Sequence, residues 1–247
     1  MRTVSLLLTL YLLLIVVPAC KKSGSTPPQK NIAYIYLAGT TDAEAFKTLL
    51  QANGCAVTLV EKSNVATASF AAYDLIVIDD SSSNFGGTGT PYSSAFTNWS
   101  TADSAAIQGA HKPLLLVGLG GMLYANRIKG PVDLVTDMTS APIDTVQVGG
   151  IPASLFQSPL TVTIPANDEL ALYTAPSEIV EMYYAAPVPG VSFIARNNYT
   201  TPITATYGAI GTVAGQYGFW GPRGRTTTLT TTGQALLVNF VFYCSGL

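Results

Sequence analysis

The chain has 247 residues, of which 48% are hydrophobic and only 11% charged, and its formal net charge is -2. That length suits one good-sized domain whose core is thick enough to bury strands on both faces. The charge balance excludes a nucleic-acid surface, because holding a polyanion requires clustered Lys and Arg to release counterions, and the chain has no such cluster.

Residues 1–19 read as a secretory leader. Arg2 supplies the positive start and residues 6–17 are an almost uninterrupted apolar run, well short of the roughly 20 residues a bilayer-crossing helix needs. Val17-Pro18-Ala19-Cys20 closes the run with a small residue before a thiol. This resembles a bacterial lipobox, in which the cysteine becomes the acylated first residue of the mature protein. The resemblance implies a lipid membrane as partner through Cys20, and a place in the bacterial cell envelope facing the periplasm or the cell exterior. Lys21 and Lys22 then lie against anionic headgroups, each contributing on the order of 1 kcal/mol. Residues 20–30 form a tether, since Ser-Gly-Ser-Thr-Pro-Pro-Gln cannot build a core. The folded domain is expected over residues 31–247. With Cys20 acylated, Cys55 and Cys244 remain in an oxidising space, either bridged or as two separate buried thiols.

Residues 32–37 form an apolar run with aromatic and β-branched members, a buried strand emptying into Ala38-Gly39-Thr40. A helix follows: Thr41 and Glu44 make a capping-box pattern, Phe46, Leu49 and Leu50 share one face, and Asn53-Gly54 stops it. Residues 56–60 and 75–78 are the second and third strands, the latter ending in Asp79 and Asp80. A Ser/Gly-rich loop over 81–91 leads to a helix at 98–110, and residues 113–117 make a fourth strand. That strand runs into Gly118-Leu119-Gly120-Gly121 and a helix over 122–128. Solid apolar strands alternating with helices describe a largely parallel sheet covered on both faces, an α/β sandwich of three layers. From residue 131 the texture changes to shorter runs at 160–164, 179–184, 191–195 and 203–207, broken by Pro, Gly and Asn, which read as added antiparallel strands. A helix over 232–244 closes the chain, with Leu236, Leu237, Phe240, Val241 and Cys244 at helical spacing.

The segment Lys112-Pro113-Leu114-Leu115-Leu116-Val117-Gly118-Leu119-Gly120-Gly121-Met122 resembles the strand, sharp turn and helix where class I glutamine amidotransferase-like proteins, a flavodoxin-like group, place their nucleophile. Residues 215–222, followed by 229–243, are similar to that group's final strand, loop and closing helix. The resemblance implies the group's fold over most of residues 31–247. The departures bear on chemistry. A catalytic amidotransferase needs a thiolate at the exposed tip of the turn and a histidine within reach as base. By this resemblance Leu119 takes the thiol position, Trp220-Gly221 stands where the histidine should precede Pro222, and Arg223 stands where an acidic residue should follow. The single histidine, His111, precedes the fourth strand at the opposite end of the sheet. No catalytic residue of the group is therefore assigned. The same topology brings the ends of the first and last helices to one edge of the sheet, which makes a Cys55–Cys244 bridge an expectation.

No Cys/His spacing suits zinc and the dinucleotide glycine pattern is incomplete, so no metal or other cofactor is expected. Open α/β sheets bind ligands at the carboxyl ends of their strands. That edge should collect Thr40, Thr41, Asp42, Asp79, Asp80, Ser81, Ser82, Asn84, Leu119, Gly120, Trp220, Arg223 and Arg225, a mixed polar lining with one large aromatic. Such a crevice suits a small polar ligand, a glycan or an envelope protein. The expectation is a membrane-anchored, catalytically inert binding domain. The alternative is a hydrolase or sugar-processing enzyme using Asp79 or Asp80 for acid–base work or to hold a cation, against the plainer use of both as caps of the Ser-rich loop. A third reading is a structural spacer.

Overall fold

The structure is a computed structural model that describes residues 29–38, 40–82, 99–129, 133–136, 144–149, 152–177, 179–183, 189–197 and 207–247. The segments expected as leader and tether, all but residues 29 and 30 and with Cys20 among them, lie outside the described residues, as does Asn84.

Four parallel strands open the domain: β1 (Lys30–Tyr36), β2 (Cys55–Glu61), β3 (Leu75–Ile78) and β4 (Leu114–Val117). Helix α1 (Thr40–Gln51) links the first pair, α2 (Thr101–Gly109) precedes β4, and α3 (Gly118–Ile128) follows it with no intervening loop. The second half supplies β5 (Asp133–Thr136), β6 (Thr145–Val148), β7 (Glu169–Ala171), β8 (Val180–Tyr183), β9 (Val191–Asn197), β10 (Tyr207–Gly208), β11 (Ile210–Val213) and β12 (Tyr217–Trp220), and α4 (Thr231–Cys244) closes the chain. One nine-stranded sheet runs in the order β2-β1-β3-β4-β12-β11-β9-β6-β7, and β10-β8-β5 form a small second sheet. Strand β12 enters beside β4 in parallel, with Trp220 opposite Val117, and then turns the sheet antiparallel through β11, β9, β6 and β7.

Side-chain alternation along β1 shows why helices are needed on both faces. Ile32 and Tyr34 join Phe46 and Leu50 of α1 and Leu236, Phe240 and Val241 of α4, whereas Ala33 and Ile35 join Ile107 of α2 and Met122 and Leu123 of α3. Each face removes an almost continuous aliphatic surface from water, and that burial drives the three-layer arrangement. The α/β sandwich read from the sequence is the architecture observed, including the antiparallel strands of the second half.

Several local expectations need correction. Helix α2 starts at Thr101, not at 98, because Ser100 caps it: its hydroxyl accepts from the Asp103 amide at 3.0 Å while the Asp103 carboxylate accepts from the Ser100 amide at 2.9 Å. Residues 160–164 form no strand. Asn239 of α4 donates to the Leu155 and Leu160 carbonyls and accepts from the Leu160 amide, so part of this backbone is bonded to a helix side chain rather than to a neighbouring strand. Strands β5, β6, β7 and β11 are only three or four residues long and each includes a polar residue, so they do not announce themselves as apolar runs. Most of 203–207 lies outside the described residues.

The expected disulfide is also overturned. Cys55 and Cys244 are both free, buried thiols. Cys55 opens β2 at the sheet edge, whereas the Cys244 sulfur lies against Gly218 of β12, four strands away across the sheet, or about 19 Å by ladder spacing. A disulfide tolerates a Cα separation of at most about 6.8 Å. Both helices do return to one edge, but at opposite ends of the row of parallel strands.

Candidate functional site

The carboxyl ends of β1, β3, β4 and β12 surround a cavity of about 310 Å³. Tyr34 and Phe46 form part of one wall, Trp220 and Tyr173 another, and the polar lining comes from Thr41, Asp42, Asp79, Asp80, Ser81, Arg223 and Arg225.

The bend between β4 and α3 decides what this cavity can do. Gly118 is the residue at the turn, with φ +49°, a backbone conformation that L side chains rarely adopt. Asp80 fills the space above it: a Cβ at 118 would lie 2.6 Å from Asp80 Oδ1. That carboxylate accepts from the Leu119 amide at the N-terminus of α3 and from Arg223, whose Nε is 3.1 Å from Oδ1 and whose Nη2 is 3.3 Å from Oδ2. A helix N-terminus favours an anion, and here one of the chain's own side chains supplies it. The close approach continues two residues on, where a Cβ at Gly120 would stand 1.9 Å from the Asp79 carbonyl oxygen.

This geometry corrects the placement of Leu119. Its side chain is 3% exposed and packs with Ile78, Met122 and Leu123 beneath the bend. Gly118, itself buried, and not Leu119 holds the tip of the turn that the strand-turn-helix resemblance puts one residue later. Gly120 is likewise buried against the 79–80 backbone, and Thr40 lies exposed at the start of α1, so neither lines the cavity. Thr41, Asp79, Asp80, Ser81, Trp220 and Arg223 do line it. His111 is exposed between α2 and β4, remote from this edge.

Asp79 is the unusual group. It is 3% exposed, and its carboxylate accepts from the hydroxyls of Ser81 and Tyr34. Burial pushes its pKa up to about 6, the two hydroxyls work against the rise, and the neighbouring Asp80 and Asp42 charges add to it. Asp42, on the first turn of α1, accepts from the Thr226 amide at 2.7 Å, and burial raises its pKa too. Tyr34 and Tyr173 are both held well above the ordinary phenol range, chiefly by burial. Trp220 donates to the Tyr173 hydroxyl at 3.0 Å, which aligns the two rings along one wall. Among the described residues, no group of three His, Cys, Asp or Glu side chains is placed to hold a metal ion.

Sequence reasoning missed Tyr34, Phe46, Tyr173 and Thr226. Tyr34 and Phe46 carry the periodicity of core residues, and their ring centroids are in fact 4.3 Å apart. Tyr173 comes from a segment with no strand or helix pattern of its own, held by an isolated bridge to Leu229 and by backbone hydrogen bonds to the Asp144 carbonyl. The one available signal was Tyr34's position near the carboxyl end of β1, on the face that α1 covers.

No protein-family model matches the chain, and no curated protein matches it. Solved structures do. It is similar to a protein from Thermoplasma acidophilum described as a proposed GMP synthase component, at 12% identity, over 88% of this chain and 96% of that one, with a TM-score of 0.55. It is also similar to the PurLQS structure from Thermotoga maritima at 11% identity, over 87% and 99%, with a TM-score of 0.54. At such identities the likeness shows the fold, which is the class I glutamine amidotransferase-like sandwich with its mostly parallel central strands.

Proposed function

We propose that this chain is a lipid-anchored protein of the bacterial cell envelope whose amidotransferase-like domain binds a small polar ligand in the strand-end cavity and performs no transfer chemistry at the bend. The observation that carries the reading is the bend itself. Gly118 offers no nucleophile, and the helix terminus that would lower a thiol's pKa faces the Asp80 carboxylate, which Arg223 holds in place. Any side chain built at 118 would collide with that carboxylate. The cavity around it is lined by aromatic rings and a few convergent polar groups, the usual make-up of a small-molecule site.

The test is turnover. Full-length protein incubated with L-glutamine should release no ammonia above buffer, and an electrophilic glutamine analogue should leave its intact mass unchanged. Sustained ammonia release, or an adduct within residues 117–121, would refute the non-catalytic reading.

One observation favours a hydrolase that uses Asp79: a buried carboxyl with a pKa of about 6 beside a cavity is poised for general acid–base work. Asp80 is less suited to that role, being committed to Arg223 and the Leu119 amide. Hydrolysis of a glycoside or amide that disappears in Asp79→Asn would establish this second reading.

Anchoring rests on residues 17–20. Replacing Cys20→Ser should release the protein from the membrane fraction or leave it as unprocessed precursor, because acyl chains supply nearly all the membrane affinity of such a tether. Fractionation identical to the parent would remove the lipid anchor from the account.

A further inference from the structure

Building on the reading of this cavity as a small-ligand site, we propose that the ligand carries an ammonium group, as a hydroxylated amine of amino-sugar type does, and that Asp79 is its counter-ion. The argument starts from what Asp79 lacks. Its carboxylate is 3% exposed, and a charge so far from water is stable only when another charge or a full set of hydrogen bonds compensates it. Its partners are two neutral hydroxyls, from Ser81 and Tyr34, and the nearest charges acting on it, Asp80 and Asp42, are of the same sign. The cations of the site are engaged elsewhere: Arg223 grips Asp80 at 3.1 Å, and Arg225 acts on Asp42. The cavity thus presents a carboxylate with a place for positive charge that, among the described residues, no side chain on β1, α1, the turn after β3 or the loop after β12 fills.

The remaining lining fits the rest of such a molecule. Tyr34, Tyr173 and Trp220 offer apolar ring surface to the carbon skeleton and a negative π face to the ammonium. Ser81, Thr41 and Thr226 offer hydroxyls to hydroxyls. A cavity of about 310 Å³ is at the small end of ligand sites, which suits a single ring rather than a polymer.

The experiment is calorimetric titration of the full-length protein with glucosamine and with glucose, its neutral counterpart, at pH 7 and pH 5. Glucosamine should bind at least tenfold tighter than glucose at pH 7. Asp79→Asn should abolish that preference. On going to pH 5 the amine keeps its charge while Asp79 becomes mostly protonated, so the parent protein should lose about tenfold in glucosamine affinity. Equal binding of the two sugars, or a glucosamine preference untouched by pH and by Asp79→Asn, overturns the ammonium assignment and leaves a neutral-ligand site. Failure of both sugars to bind overturns it too, while the non-catalytic reading is judged separately by the glutamine measurement.

Discussion

Asp79→Asn should make the protein more stable at pH 7.5 and leave its stability nearly unchanged at pH 4. The sign follows from where the proton sits. The Asp79 carboxyl has a pKa of about 6 in the folded chain against an ordinary value of 3.8, so between those values the native state binds more protons than the unfolded state. Stability therefore falls as pH rises through this window. The full penalty is present above pH 6, and a rise of about two units corresponds to roughly 3 kcal/mol. Asparagine removes the charge while keeping an acceptor for Ser81 and Tyr34, and weaker hydrogen bonds give back part of the gain. The net expectation is a stabilisation of about 2 kcal/mol at pH 7.5, or roughly 5 °C in Tm for a domain of this size. Thermal melts of parent and variant from pH 4 to pH 8 would show curves that meet near pH 4, diverge up to about pH 6 and run parallel above it. Curves parallel over the whole range would mean that Asp79 is not the buried, charge-uncompensated group described here. A residue that weakens the fold at working pH is what a site built for an absent counter-charge should contain.

The second large effect is expected at Gly120, where replacement by Ala should destabilise the domain by about 3 kcal/mol or more. The added Cβ would meet the Asp79 carbonyl oxygen at 1.9 Å and the Asp80 carbonyl oxygen at 3.2 Å. These are backbone atoms at the end of a buried strand and cannot swing aside as a flexible side chain can. Relief requires α3 and the 79–80 segment to separate, which would also shift the Asp79 and Asp80 carboxylates of the cavity. Gly109 makes a good control, since nothing lies within 4 Å of a Cβ there and alanine is the better helix former. Denaturant unfolding should show Gly120→Ala strongly destabilised and Gly109→Ala equal to the parent or slightly better. A Gly120→Ala protein within about 0.5 kcal/mol of the parent, the range of an ordinary surface substitution, would contradict the close packing of α3 on the third strand.

The parallel half of the fold was legible because its strands are mostly apolar runs, and the inner ones, such as Leu75–Ile78 and Leu114–Val117, are almost wholly buried between the two helical layers. The antiparallel half was legible only as texture. Its strands are mostly three or four residues long, and residues 160–164 look like a strand in sequence yet bond in part to Asn239, a pairing across 79 positions that no local pattern announces. At the site, Asp79, Asp80, Ser81 and Trp220 could be assigned to the carboxyl edge from topology alone, and they line the cavity there. The bend was misread by one residue, and the residues themselves held the answer. A leucine is a poor occupant of a tip with positive φ and a good one in the core beneath it, whereas glycine suits the tip. The aromatic wall could not be read, because Tyr34 and Tyr173 meet there only through long-range packing. The Cys55–Cys244 expectation failed because it treated one edge of a sheet as one place, although four strand spacings separate the two thiols.

The central claim is that the strand-end cavity holds a buried carboxylate awaiting a ligand's positive charge. A pH titration of the Asp79 side-chain carboxyl carbon by 13C NMR, assigned with Asp79→Asn and repeated with saturating glucosamine, tests it most directly. The free protein should titrate with a midpoint of about 6, and the amine should move that midpoint down toward the ordinary carboxylate range by stabilising the ionised form. A midpoint already in the ordinary range in the free protein, or one that glucosamine does not move, would contradict the claim.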